Sequence, residues 1–267
     1  MKKIFAFLSA AAICLSLAAC GGDTGGVEPK TAESDLAYVK EKGTLVVGIT
    51  EFAPMDYQDG DGNWIGFDAD MASAFAESLG VEADFRVIEW GSKVDLLENK
   101  TIDVVWNGMT LNDEVKAAME TSKPYFNNAQ VVIVKADAAD NYQTSDDLGG
   151  AVFAVEPESA AEDQAIAHGL SYTEVQSQSV ALQKVSDGEY DAAIVDFLMA
   201  IVTIGEGNEY EDLTYTVSLS SEEYGVGFRK GSDLAAELNG FFSDSYGNGT
   251  MQSAARTYGI SAFLLAQ

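Results

Sequence analysis

The sequence predicts an α/β protein of two lobes, each built around a mainly parallel sheet. From Leu45 onward, short apolar runs alternate with amphipathic stretches of helical period, which is typical of strand–helix–strand units. The same alternation restarts at Ala151, after a polar, aspartate-rich stretch at 137–147. The chain has 267 residues, 47% of them apolar, so it is long enough to bury a core in each lobe.

The apolar runs in the first half of the chain predict strands with helices between them. Met71, Phe75 and Leu79 recur every four residues and predict a helix that ends at Gly80. A helix is expected after Ser92, and a short one after residue 112. Strands are predicted at residues 45–49, 85–88, 103–106 and 131–134.

The second half of the chain repeats this alternation. Ser159 and Glu162 form an S-x-x-E capping box that opens a helix to about Ala167, and a helix carrying Leu182 ends at Gly188. Strands are predicted at 151–155, 192–195 and 224–228, and helices at 197–204, 234–243 and 251–258. Ligands of such sheets bind beyond the carboxyl ends of the strands.

The first twenty residues are typical of a bacterial lipoprotein signal. Lys2 and Lys3 precede an apolar run over 4–19, which is short for a membrane-spanning helix and suited to an export signal. The run ends Leu-Ala-Ala-Cys at Cys20, which resembles a lipobox. We therefore expect a signal peptide at 1–19 and a lipidated Cys20 on a flexible tether at 20–42, which anchors the protein to the outer side of the cell membrane. The alternative is a short membrane anchor with an incidental cysteine.

The charge and the scarcity of Cys and His exclude several functions. With 15 Lys and Arg against 43 Asp and Glu, the formal net charge is −28, which repels nucleic acid and anionic lipid. Cys14 leaves with the predicted signal, and the one histidine, His168, lies at an expected helix end. The acidic run from Asp59 has Trp64 where a calcium loop needs glycine, so it predicts a hairpin. We expect no cofactor and no metal site.

Short motifs follow one another in a specific order over about residues 43–258. They are Gly43-Thr44-Leu45-Val46-Val47-Gly48, Phe52-Ala53-Pro54-Met55, Gly66-Phe67-Asp68-Ala69-Asp70, Gly108-Met109-Thr110, Lys123-Pro124-Tyr125, Asp191-Ala192-Ala193-Ile194-Val195-Asp196 and Glu223-Tyr224-Gly225-Val226-Gly227. Each motif is weak alone, but the ordered set resembles the family 3 extracytoplasmic solute-binding proteins, the amino-acid-type receptors of ABC importers.

The resemblance implies the periplasmic-binding-protein type II fold, in which two lobes joined by two crossing strands close on a ligand. Lobe 1 is then expected at 43–129 plus 225–267 and lobe 2 at 130–224, with crossings near 125–129 and 220–224. The implied partners are a small solute and an ABC transporter permease, and we expect a monomer without enzymatic activity.

The resemblance also implies ligand-binding residues in the cleft. Phe52 and Trp90 fall where the family has aromatic walls, Gly108 and Thr110 match the segment that meets the amino acid, and Asp196 matches the acid that holds the ammonium. The remaining expected residues are Glu51 on the rim, Asn107 as a neutral donor, and Glu158 and Ser159 at a helix N-terminus. The residues alone leave alternatives open. Phe52 and Trp90 can instead be core residues, Glu51 can be a solvated acid on the surface, and Asp196 can be the N-cap of a helix.

Two departures from the family pattern bear on the ligand. Val115 stands where the family usually has an Arg that grips the α-carboxylate through two hydrogen bonds. In lobe 2 the family has a glycine followed by two hydroxyl residues at a helix N-terminus. Here the run is Glu158-Ser159-Ala160, so only the Ser159 hydroxyl remains, and Glu156 and Glu158 add negative charge. Lys93 is either a substitute cation or a solvated lysine. We therefore expect a small polar, amine-bearing solute, with amino acids as the first class and carboxylate-poor amines favoured.

Two other functions fit the same fold. A dehydratase-like enzyme needs a placed general acid, for which only Glu156, Glu158 or Asp196 are available. A sensory ligand-binding domain needs a following transmembrane helix and effector, which we do not expect here. Binding for import is the function that we predict.

Overall fold

The computed structural model describes residues 34–267. The predicted signal peptide, Cys20 and residues 20–33 of the predicted tether lie outside the described residues. The prediction of a flexible tether up to residue 42 is wrong for its last part, because Asp35–Lys42 form a helix whose Asp35 and Val39 are buried. Within 34–267, none of the helices has both the length and the apolar character that crossing a membrane requires.

The described chain alternates strands and helices along most of its length. The strands are β1 (Thr44–Ile49), β2 (Tyr57–Gln58), β3 (Trp64–Ile65), β4 (Glu82–Val87), β5 (Val104–Thr110), β6 (Glu120–Thr121), β7 (Phe126–Asn128), β8 (Gln130–Lys135), β9 (Val152–Val155), β10 (Ser171–Glu174), β11 (Ala192–Asp196), β12 (Leu213–Ser218) and β13 (Glu222–Phe228). The helices are α1 (Asp35–Lys42), α2 (Phe67–Leu79), α3 (Lys93–Glu98), α4 (Asp113–Ala118), α5 (Ala160–Ala167), α6 (Gln178–Ser186), α7 (Phe197–Thr203), α8 (Leu234–Gly247) and α9 (Thr250–Thr257). The predicted α/β class is confirmed.

Two sheets organise these elements. Sheet 1 has the order β4-β1-β5-β13-β6, with β7 also paired to β13, and sheet 2 has the order β10-β9-β11-β8-β12. We call sheet 1 with α1–α4, α8 and α9 lobe 1, and sheet 2 with α5–α7 lobe 2. In each sheet three neighbouring strands are parallel, and the strands that lead into or out of the sheet are antiparallel to them. The sheets are therefore mixed, because the chain enters lobe 2 along β8 and returns along β13.

The two connections between the sheets run side by side. The last residue of β7, Asn128, is the register partner of Glu222 at the start of β13, and Phe126 is the partner of Tyr224. Only Ala129 separates β7 from β8, which belongs to sheet 2. The two crossings were expected near 125–129 and 220–224, and the lobe boundaries drawn at 129 and 224 stay a prediction.

Local sequence signals set the helix ends. The Ser34 side chain accepts a hydrogen bond from the Ala37 N–H at the start of α1, and Gly80 ends α2 in the left-handed conformation. At α5 the predicted capping box is shifted. Ser159 accepts from the Glu162 N–H, but the Glu162 carboxylate accepts from the N–H of Glu158 and not from that of Ser159.

The parallel strands place their carboxyl ends toward a common region. Thr50 follows β1, Gly108 lies near the end of β5, Glu156 follows β9, and Asp196 ends β11. In open α/β sheets, ligands bind in the crevice beyond the carboxyl ends of the strands. The topology thus brings residues distant in sequence to one site.

Candidate ligand-binding site

A cavity of about 230 Å³ lies between the two lobes at these strand ends. Eight of the nine residues predicted to bind ligand line it, namely Phe52, Trp90, Asn107, Gly108, Thr110, Glu158, Ser159 and Asp196. The ninth, Glu51, is exposed, does not line the cavity, and its carboxylate accepts a hydrogen bond of 3.2 Å from the Gln58 N–H. The structure thus gathers residues from both halves of the chain around one small space.

Phe52 and Gly108 form one wall through close contact. A Cβ on Gly108 would lie 2.4 Å from Cε1 of Phe52, and Gly108 has φ +55°. Phe52 is 4% exposed, and its ring packs edge-on against Tyr224 with centroids 6.5 Å apart. Phe52 is therefore both a cavity wall and a packed residue, and glycine at 108 is needed for the ring to reach its place.

Asn107 lines the cavity with its hydrogen-bonding capacity already used. Its Oδ1 accepts from the N–H and hydroxyl of Thr50, at 3.0 and 2.6 Å. Its Nδ2 donates to the Thr50 carbonyl at 3.1 Å and to the buried Asp56 carboxyl at 2.8 Å. A donation from Asn107 to ligand, as predicted, would have to replace one of these bonds. No pattern in the sequence indicated Asp56 as its partner.

Thr110 connects the cavity to the crossing strands. Its hydroxyl donates to Oε1 of Glu222 at 2.9 Å, and the same oxygen accepts from Asn128 and Gln130 at 2.6 and 2.7 Å. Glu222 and Gln130 were not among the predicted site residues. No spacing in the sequence marks them, because they meet only where the two crossings pair.

Asp196 lies at the end of β11 in a dense set of donors. Oδ1 accepts from Asn128, from Gln130 at 2.9 Å and from the Tyr224 hydroxyl at 2.6 Å, and Oδ2 accepts from Gln178. It stands at the N-cap of α7, but its side chain makes no capping hydrogen bond. Burial, together with the charge of Glu222, raises the pKa of Asp196 to about 7.

Glu156 is the second buried carboxyl in the cavity wall. It is 5% exposed, and burial followed by the charge of Asp196 raises its pKa to about 8. The amide of Gln178 interacts with it and also donates to Asp196, so a single amide lies between the two carboxyls. From the sequence, Glu156 was noted as added negative charge and as one of three acids available to a dehydratase-like enzyme, and not as a ligand-binding residue.

The start of α5 differs from a simple anion site. The Ser159 hydroxyl donates to the Glu156 carbonyl at 2.7 Å and accepts from the Glu162 N–H, so its bonds go to the backbone. Glu158 has φ +55°, a conformation that favours glycine, at the position where the family resemblance implies glycine. Its side chain lies against Gly91 of lobe 1, where an added Cβ would come within 2.9 Å of the carboxyl carbon.

Lys93 projects from lobe 1 toward these groups. Its Nζ donates to the carbonyls of Trp90 and Glu158, each at 3.2 Å, and lies 4.7 Å from the centre of the Trp90 ring. Burial lowers the pKa of Lys93, and the nearby carboxylates, Glu158 first, oppose that change. Lys93 thus occupies one face of Trp90 and is neither a solvated lysine nor an uncommitted cation.

The charged side chains that line the cavity are mostly acidic. Val115 lies in the wall with 8% exposure at the position where the family usually has Arg. The acids are Glu114, Glu156, Glu158, Glu162, Asp163 and Asp196, and the basic residue is Lys93. Among the described residues, no group of three or more Asp, Glu, His or Cys side chains is arranged to hold a metal ion. The charged side chains of the wall therefore favour a cation over an anion.

Two α/β lobes with a cavity at their facing strand ends define a solute-binding protein. Residues 45–261 match the model of the bacterial extracellular solute-binding proteins, family 3, and the chain belongs to that family. It is 31% identical over 230 residues to the L-cystine-binding protein TcyJ of Escherichia coli (strain K12), covering 85% of this chain and 86% of the relative. It is 28% identical over 267 residues to the arginine-binding extracellular protein ArtP of Bacillus subtilis, covering 97% and 98% of the two chains.

The fold comparison agrees. A crystal structure of a mutant ArgBP from T. maritima superposes with a TM-score of 0.78 at 28% identity, covering 84% of this chain and 98% of that one. The predicted two-lobed periplasmic-binding fold and the predicted family are confirmed. A cyclohexadienyl dehydratase of Pseudomonas aeruginosa is also similar, at 28% identity over 205 residues, covering 75% of this chain and 74% of the relative. Binding proteins are thus the more similar relatives, and an enzyme is a more distant one.

Proposed function

We propose that the protein is the extracytoplasmic substrate-binding lipoprotein of an ABC importer and captures a small, cationic, amine-bearing solute by closure of its lobes. The observation that carries this proposal is the composition of the cavity wall. Six acidic residues and one lysine line the cavity, and Val115 stands where the family usually has the Arg that binds a carboxylate. Relatives named for binding cystine and arginine support an amine in the ligand, because both compounds carry an α-ammonium group beside their α-carboxylate.

Two contacts between the lobes support the proposed closure. Lys93 of lobe 1 bonds to the Glu158 carbonyl of lobe 2, and Asn112 Nδ2 donates to Asp163 at 3.1 Å. A ligand that fills the cavity touches both lobes and stabilises the closed form by its differential affinity. A permease that reads the closed form would then receive loaded protein.

A thermal-shift screen tests the ligand class. L-Arginine, L-cystine, L-glutamate and agmatine, which is arginine without its carboxylate, are compared at equal concentrations. A ligand of the folded state raises the melting temperature. We expect agmatine and arginine to raise it most and glutamate least. A shift with glutamate alone would contradict the proposal, and consumption of a bound compound, followed by NMR, would favour the dehydratase-like alternative.

The lipid anchor is tested separately, because Cys20 lies outside the described residues. Cys20→Ala should move the protein from the membrane fraction to the soluble fraction while its melting temperature and ligand shift stay unchanged. A Cys20→Ala protein that is still cleaved after Ala19 and still stays in the membrane fraction would contradict lipidation without affecting the binding proposal.

A further inference from the structure

Glu156 and Asp196 are two buried carboxyls on one cavity wall, and their surroundings are unequal. Asp196 accepts hydrogen bonds from four side chains, whereas Glu156 shares the single amide of Gln178. A buried carboxylate is stable only when donors or a cation compensate for lost hydration. The charged form of Glu156 is therefore less well compensated than that of Asp196, and it is stabilised either by a proton or by a cation from outside the protein.

The charged groups around Glu156 strengthen this need. Asp196 on β11 and Glu89, ahead of the turn at Trp90–Ser92, repel its charged form, and Lys93 on α3 attracts it. Lys93 is itself held by the carbonyls of Trp90 and Glu158. The other acids of the cavity wall are Glu114 on α4, Glu158 on the same loop, and Glu162 and Asp163 on α5. The surroundings of Glu156 carry more negative than positive charge, and its raised pKa agrees with that.

We propose that Glu156 is a specificity-determining residue which carries a proton in the empty cavity and exchanges it for the ammonium group of the ligand. This rests on the proposed function and adds how the site recognises an amine. The O–H bond of the Glu156 carboxyl breaks, the proton goes to solvent, and the carboxylate formed pairs with the ligand ammonium. At Glu156 the charge is balanced, because the ammonium group brings one positive charge to this carboxyl and the departing proton takes one away.

The exchange explains how one site can be both acidic and stable when empty. A neutral Glu156 avoids an uncompensated charge beside Asp196, and an arriving ammonium supplies the compensation that the proton gave before. A neutral or anionic ligand offers no such replacement, so Glu156 stays protonated and contributes no ion pair. The preference for cationic ligands then results from Glu156, and it needs no residue at position 115 that binds a ligand carboxylate.

Calorimetric titration with agmatine tests the exchange. Titrations at pH 7 in two buffers of different ionisation enthalpy give the number of protons released per ligand bound. We expect at least about one proton per ligand for the unmodified protein, and a dissociation constant that falls about tenfold between pH 6 and pH 7. Glu156→Gln should release about one proton fewer than the unmodified protein, whatever Asp196 contributes, and bind agmatine at least tenfold more weakly at pH 7.

Glu89→Gln is the matched control, because it removes a nearby exposed carboxylate that does not line the cavity. We expect it to release as many protons as the unmodified protein.

Agmatine binding without proton release, or equal release by Glu156→Gln, would overturn the exchange and leave the proposed function intact. Binding of arginine but not agmatine would overturn the exchange in the same way, because a carboxylate would then be required. No binding of any compound of the screen would remove the proposed function, and the exchange with it.

Discussion

Lys93 and Glu158 join the two lobes directly, through a hydrogen bond of 3.2 Å from the lysine Nζ to the main-chain carbonyl of Glu158. The same ammonium group lies over the Trp90 ring of its own lobe. The glutamate that accepts this bond has a left-handed backbone, φ +55°. One lysine thus holds a lobe 1 aromatic wall and a lobe 2 loop together at the cavity.

The first prediction concerns this bond. Lys93→Met keeps most of the aliphatic volume and removes the donor, so the ligand-free protein should spend more time open. Small-angle scattering should show a larger radius of gyration, and cavity ligands should bind several-fold more weakly. Lys40→Met, on the exposed side of α1, is the control and should change neither quantity. An unchanged radius and affinity in Lys93→Met would show that the bond does not hold the lobes.

The second prediction is a fall in stability of the empty protein as pH rises. Burial raises the pKa of Glu156 from an ordinary 4.5 to about 8, and those of Asp196 and Asp68 from 3.8 to about 7. The folded state then binds more protons than the unfolded state, so the stability present below about pH 4 is lost progressively up to about pH 8.

Urea unfolding at pH 5.5 and pH 8 measures this loss. We expect the free energy of unfolding to fall by on the order of a few kcal/mol between the two values. Glu156→Gln should reduce the difference, and the exposed Glu89→Gln should not. A free energy that rises between pH 5.5 and pH 8 would contradict the raised pKa values.

The sequence predicted the elements whose residues are buried in apolar runs. β1, β8 and β11 fall at the expected places because their side chains are buried on both faces of a sheet. β10 was missed, since Ser171–Glu174 is an edge strand with mostly exposed, polar residues and no apolar run. An edge strand is held by backbone pairing to its neighbour, which leaves little trace in hydrophobic periodicity.

For the site, the order of motifs located eight cavity residues, but it did not reveal their internal partners. Gln178, Glu222 and Asp56 are distant in sequence from the side chains that they contact. Their roles depend on which side chains meet after folding, a property that local spacing does not encode. The predicted donor role of Asn107 shows the consequence, because its bonds to Thr50 and Asp56 were invisible in the sequence.

The third prediction concerns the contact between Gly108 and Phe52. Gly108→Ala adds a Cβ 2.4 Å from the Phe52 ring at φ +55°, so ring or backbone must shift. We expect a loss of about 1–3 kcal/mol in unfolding free energy, and weaker ligand binding because the wall moves. Gly149→Ala is the control, since a Cβ there meets nothing within 4 Å. Equal stability of the two variants would contradict the tight contact.

The fourth prediction separates charge from structure at Asp196. Asp196→Asn leaves an oxygen for the donors at Oδ1, but it sets an amide N–H₂ against the Nε2 of Gln178, which now donates to Oδ2. We expect a stability loss of about 1–3 kcal/mol, and binding of amines weakened by about 1.5–3 kcal/mol. Asp163→Asn makes the same change at an exposed cavity acid and should cost much less in both. Equal losses for ligands with and without an amine would refute an ammonium partner at Asp196.

The last prediction concerns Val115, which occupies the cavity wall where an Arg would grip a carboxylate. A guanidinium supplies charge and two parallel donors, and valine supplies neither. Val115→Arg should therefore improve the binding of L-arginine and L-glutamate about tenfold or more, and it should weaken that of agmatine by repulsion. Glu114, Glu158 and Asp163 line the same cavity and can compensate for part of the desolvation of the new cation.

Val115→Leu is the control for size, and calorimetry of all three ligands on both variants makes the comparison. The preference for amino acids should be smaller at high salt, because the added attraction is Coulombic. If the Leu and Arg variants alter the three affinities alike, volume at this position, and not charge, governs the choice of ligand.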